Sequence, residues 1–124
     1  MAVEKTGETL PGIEAAADLS TNQFHAVRID SNGQAALATA GQSIAGVLQN
    51  KPNAAGVAAT IWGPGTLTKM VAGATVAAGA DVTPDGTGRA VTAATTNYII
   101  GQATIGGAVG ELISVFITQP GRLA

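Results

Sequence analysis

The most informative run in the chain is Phe24-His25-Ala26-Val27-Arg28-Ile29-Asp30-Ser31-Asn32-Gly33-Gln34-Ala35-Ala36-Leu37-Ala38-Thr39. β-Branched Val27 and Ile29 alternate with Ala26 and Arg28, the period of a half-buried strand. Asn32-Gly33 follows, and Asn-Gly is the strongest short hairpin signal because both residues tolerate positive φ. Gln34 to Thr39 is then the returning strand. One hairpin is predicted here.

The same grammar continues on the C-terminal side. Ser43 to Gln49 is bounded by Gly41 and by Asn50-Lys51-Pro52-Asn53, and Val57 to Trp62 stops at Gly63-Pro64-Gly65. Proline cannot donate to a ladder and glycine frees the turn. Thr66 to Val71 alternates Leu67 and Lys69 with Thr68 and Met70. Thr83-Pro84-Asp85-Gly86 is predicted as a turn with proline at its second position. Ala90 to Ala93, Tyr98 to Thr104 and Leu112 to Thr118 follow, the last with Ile113, Val115 and Ile117 on one face. Short strands at this regular spacing indicate an all-β sandwich or barrel. Helix signals are weak: Glu14 to Asp18 allows one turn, and Ala72 to Ala80 is interrupted by Gly73 and Gly79. No exact internal repeat of 20–50 residues is visible. On the N-terminal side, residues 1–22 hold Glu4, Lys5, Glu8, Glu14 and Asp18, and Pro11-Gly12 breaks any regular element. We therefore expect an N-terminal arm over 1–22 and a single β-rich domain over 23–124.

Composition narrows the function classes. The 124 residues include 25 Ala and 17 Gly, about a third of the chain, and only four aromatics. Charged residues are 11% and hydrophobic residues 46%, with a net charge of −2. Disorder of the usual kind needs the opposite balance. The longest uncharged apolar run, Gly56 to Gly65, is far shorter than the roughly 20 residues of a membrane span, so no membrane partner is expected. Met1 to Glu8 shows no apolar segment of a secretory signal. There is no Cys, hence no disulfide framework and no thiol nucleophile. A sequence pI near 5.1 and six Lys and Arg leave no basic patch for phosphates, so nucleic acid is not expected as a partner.

Catalysis needs a nucleophile–base pair, a carboxylate pair or a metal, and none of these patterns is complete. His25 is the only histidine and is expected on a strand surface. Gly41-Gln42-Ser43-Ile44-Ala45 approaches a nucleophile elbow but has Ala45 where that motif needs glycine. Gly63 to Lys69 lacks the order of a phosphate-cradling loop. Asp81 and Asp85 lack the remaining ligands of a calcium loop, whose twelfth position falls on Thr92. We expect no enzyme, no cofactor and no metal. Thr68-Lys69-Met70, with Val76, Gly79 and Val82, resembles the Met-Lys-Met hairpin of biotinyl and lipoyl carrier domains, which would place a prosthetic group on Lys69. That carrier reading is one alternative, and a tail or fibre module that binds host surfaces is another.

A broader resemblance runs from about Asp18 to Ile117. Gly46-Val47-Leu48-Gln49-Asn50-Lys51-Pro52, the ladder Val71-Ala72-Gly73…Val76…Gly79…Val82…Asp85…Gly88-Arg89-Ala90-Val91, and Leu19-Ser20…Gln23-Phe24…Ala26-Val27 resemble the capsid cement, or head decoration, proteins of tailed bacteriophages. The resemblance implies a β-tulip or open β-barrel and an extended N-terminal arm. It implies a homotrimer bound to the major capsid protein on the outer surface of the expanded, DNA-filled shell. Such a virion protein would be made in the cytoplasm of a bacterial host.

On that basis, Val3, Leu10, Pro11 and Ile13 of the arm are the expected capsid-binding residues, because an extended arm can add a strand to an exposed sheet edge. Trp62 is the expected interface residue, since tryptophan is enriched at binding hot spots.

Overall fold

The computed structural model of the chain describes Ala2, Glu4 and residues 9–122. Ten strands form among the described residues: β1 (Thr9–Leu10), β2 (Ala26–Ile29), β3 (Ala35–Leu37), β4 (Gly46–Leu48), β5 (Ile61–Trp62), β6 (Leu67–Val71), β7 (Asp81–Pro84), β8 (Ala90–Thr92), β9 (Tyr98–Ile105) and β10 (Leu112–Arg122). The described residues contain no helix. The strands make two five-stranded antiparallel sheets, ordered β1-β5-β4-β2-β3 and β6-β10-β9-β7-β8. Both sheets are open, so the all-β expectation holds without a closed barrel. In β10 the predicted alternation is present: Ile113, Val115 and Ile117 are buried while Leu112 and Phe116 are exposed.

The predicted hairpin is β2–β3, in the register Val27↔Leu37 and Ile29↔Ala35. Its turn is organised differently from the expectation. Only Gly33 has positive φ, and Asn32 does not. The Asp30 carboxylate accepts from the amides of Asn32 (2.9 Å) and Gln34 (3.0 Å), while Asp30 and Gln34 close the loop through their main chains. An aspartate at the turn entrance offers its backbone neighbours a local acceptor, and this displaces the expected two-residue turn. Asp85 does the same for β7–β8, accepting from the amides of Thr87 (2.9 Å) and Arg89 (2.8 Å), with Gly88 at positive φ. That loop therefore starts at Asp85. Thr83 and Pro84, predicted within the turn, finish β7 instead. Pro84 lies past Val82↔Gly101, the last rung β7 shares with β9, so its missing N–H costs that ladder nothing.

The two turns belong to a larger regularity. The strand order of the second sheet is that of the first with every strand advanced by five. The isolated parallel bridge Ala15↔Ala35 recurs as Ala72↔Ala90. Leu19 N–H to Pro52 O recurs as Val76 N–H to Gly107 O, and Phe24 N–H to Leu48 O as Gly79 N–H to Ala103 O. Among the described residues, the three non-glycine residues with positive φ, Phe24, Thr96 and Gln119, each have a positive-φ glycine at the matching place: Gly79, Gly41 and Gly65. One buried cluster consists of Ala15, Leu19, Val27, Ala35, Leu48, Ala59 and Ile61. Their counterparts Ala72, Val76, Val82, Ala90, Ala103, Ile113 and Val115 all lie in the other cluster. Residues 9–65 and 66–119 are thus two copies of one fold, a repeat too diverged in sequence to be seen there.

The halves join asymmetrically. Ala26, Ala38 and Val47 of the first half complete the core of the second, beside Met70, Ile100 and Ile117. Main-chain bonds cross the joint: Ala26 donates to Gly88 (2.6 Å), Gly41 to Pro84 (2.9 Å), Tyr98 to Gly41 (2.9 Å) and Val71 to Phe24 (3.2 Å). Gln49 Nε2 donates to Thr68 Oγ1 (2.8 Å). Gly88 fits because a Cβ there would run into the Ala26 main chain. Each fully buried Val, Ile or Met in such a core contributes about 1.5–3 kcal/mol relative to exposure.

Candidate interaction surface

A cleft of about 450 Å³ is lined by Thr9, Leu10, Pro11, Gly12, Ile13, Glu14, Ala58, Ala59 and Thr60. Its near wall begins with β1, the outermost strand of the first sheet, which pairs with β5 as Thr9↔Trp62 and Leu10↔Ile61. Pro11-Gly12 ends β1 after two residues. Glu14 then bridges to Ala58, and the Ala59 amide donates to Ile13 O (2.9 Å), which fixes the far wall. Leu10 and Pro11 are exposed, while Ile13 is half-buried against the Ala15–Leu19 cluster. Three of the four expected capsid-binding residues, Leu10, Pro11 and Ile13, therefore share one cleft, and Val3 lies outside the described residues. From Thr9 onward the segment expected as an arm is woven into the sheet, because Ala15 and Leu19 supply core volume.

Trp62 does not line this cleft. It is half-buried and stands opposite Val47 in the β4–β5 ladder. Directly opposed residues share a sheet face, so Trp62 faces the side on which Val47 meets the second half. Its counterpart in the second half is Phe116, opposite Gln102 in β9 and exposed.

His25 is not on the surface. It is buried, and its Nδ1–H donates to Thr87 O across the joint (2.7 Å). Neighbouring β2 carries the chain straight into the second core, which is why the ring is enclosed. Lys69 is the third residue of the five-residue strand β6, opposite Ser114, and not the tip of a turn. Its ammonium lies 3.8 Å from Glu4 and 5.9 Å from the Phe24 ring centre.

Few charges are fixed. Burial pushes the Asp85 carboxyl up, but the amides of Thr87 and Arg89, the Thr87 hydroxyl and the Arg89 guanidinium outweigh it. The carboxyl is held below its ordinary value. The hydroxyl and amide of Ser20 lower Asp18 in the same way. Among the described residues no three His, Asp or Glu side chains converge on a metal-sized site. The chemistry on display is that of a contact surface: an apolar cleft, an open sheet edge, and single exposed apolar side chains.

No protein-family model matches the chain, and no curated protein matches it either. Among solved structures it is similar to the crystal structure of the head fiber gp8.5 N base of bacteriophage phi29, with a TM-score of 0.70 at 16% identity. The match covers 100% of this chain and 99% of that one. At this identity the likeness establishes a shared fold.

Proposed function

We propose that the chain is a structural protein of a tailed-phage virion that docks on the outside of the assembled capsid and stabilises the expanded, DNA-filled shell. The observation that carries this is the end-to-end fold likeness to the base of a phage head fiber, together with the resemblance of Leu19 to Val91 to capsid cement proteins. In this role the protein is a non-enzymatic homotrimer on the outer capsid surface, bound to the major capsid protein of the same phage. It is made in the bacterial cytoplasm.

The mechanism is mass action. A protein that binds only the intact lattice stabilises it by about 2.7 kcal/mol per site at a hundredfold excess over Kd. Several such contacts per trimer act at effective concentrations near millimolar, so modest cleft contacts add up. Leu10, Pro11 and Ile13 would supply the apolar part of each contact, and the free edge of β1 its main-chain part. Short, rigid and largely uncharged side chains lose little entropy on docking.

The test is to mix purified protein with expanded, undecorated shells, sediment them and image the pellet. Ordered density at regular lattice positions is the expected result, and Leu10→Asp should lower occupancy without unfolding the protein. Shells left bare at saturating protein would reject the reading. The same structural neighbour supports a second reading, a base from which a fiber projects, and density rising beyond the decorated layer would select it.

A further inference from the structure

We propose that the protein self-associates head to tail, the outer face of one copy's second half docking on the next copy's first half as the two halves dock within the chain. The inference concerns the free protein and does not depend on shell binding.

The joint inside the chain is built from two unlike surfaces. The first half contributes His25, Ala26, Ala38, Gly41 and Val47, all buried. The second contributes Thr68, Met70, Thr83, Pro84 and Gly88, also buried. Because the halves share one fold, each surface has a counterpart on the other half, and both counterparts are uncovered. Leu10, Arg28, Ile29 and Gly33 occupy the places of Thr68, Thr83, Pro84 and Gly88 and are all exposed, while Ile13, in the place of Met70, is half-buried. Ala80, Asp81, Ala93, Thr96 and Gln102 occupy the places of the first and are exposed or half-buried.

The two open surfaces suit each other. Leu10 and Ile29, 37% and 41% exposed, lie on one, and Phe116, 43% exposed, takes the place of Trp62 on the other. Gly33 keeps the small profile that Gly88 needs beneath Ala26, with nothing within 4 Å of where its Cβ would be. The polar Asp81 and Gln102, in place of Ala26 and Val47, fit a contact that must stay soluble when open. A head-to-tail contact closes into a ring if its rotation allows, and otherwise runs on as a filament.

The internal bond from Gly41 N–H to Pro84 O (2.9 Å) predicts that Thr96 of one copy meets Ile29 of the next. Disulfide-linked residues have Cα atoms about 5.5 Å apart, a distance that a main-chain pair satisfies. The chain has no cysteine, so Ile29→Cys and Thr96→Cys give a clean test. Oxidising the two single variants mixed should give a covalent dimer containing one of each, while each alone stays monomeric. Two results would overturn the contact: a mixture that stays monomeric at high concentration with both variants folded by circular dichroism, or a single variant that links to itself, which means two-fold pairing. The Ile29→Cys/Thr96→Cys double variant counts copies separately. A ladder ending at three supports the trimer, and one ending elsewhere rejects the trimer while leaving the contact intact.

Discussion

Gly33 and Gly88 hold equivalent places in equivalent turns, and only the second is roofed by another part of the chain. Gly33→Ala meets open space at positive φ, so it should cost roughly 1 kcal/mol of backbone strain. Gly88→Ala adds a collision with the Ala26 main chain. It should cost about 2 kcal/mol more, at the upper end of single substitutions, as read by urea unfolding of both variants. The Asp85 carboxyl sits below its unfolded value of 3.8, so its contribution is present above that pH and is lost as pH falls through the lower folded value. Asp85→Asn should therefore be less stable by roughly 1 kcal/mol at pH 7, with the gap closing below about pH 4. Parallel denaturation curves at pH 7 and pH 3 check the sign. A gap that stayed constant would mean that the introduced asparagine merely packs badly.

Among the elements, β1 and the Ala15–Leu19 segment behave as part of the first half and not as an appendage. Glu4→Gln should leave the unfolding midpoint nearly unchanged, since Lys69–Glu4 is a part-exposed pair of the kind worth at most about 1 kcal/mol. Removing residues 2–16 takes away β1 and the buried Ala15, bares Ile61, and should cost several kcal/mol on the scale of about 2–5 for one large core truncation. Thermal melts of the two variants decide this. The strands that the sequence disclosed were those with periodic apolar residues and clear borders, such as β2, β3 and β10. β1 was hidden because two residues before Pro11-Gly12 carry no period. β7 was hidden because Pro84 reads as a breaker until its place beyond the last β9 rung is known. The repeat stayed hidden because it conserves buried volume more than residue identity: Leu48 with Ala59 in one half is matched by Ala103 with Ile113 in the other. Of the expected contact residues, Leu10, Pro11 and Ile13 were legible as exposed or half-exposed apolar groups near a chain break. The role of Phe116 was not, since it depends on which copy of the fold has a neighbour.

For the whole molecule, shell binding and self-association share Leu10, while Phe116 belongs to self-association alone, and this separates them experimentally. Phe116→Ser should weaken assembly between copies while leaving the β1 cleft untouched, so single copies should still sediment with shells, at reduced occupancy. Leu10 belongs to both surfaces, and Leu10→Asp should diminish both measurements. The crossing between the halves has a consequence of its own. Pro64 and Gly65 are exposed, while the partners they connect are held by main-chain and side-chain bonds and a shared core. A protease cut there would leave two polypeptides with every reason to remain together. Expressed as separate fragments, residues 1–64 and 65–124 should find each other and rebuild the native spectrum, a ready-made split protein whose reassembly could report when two tagged molecules meet.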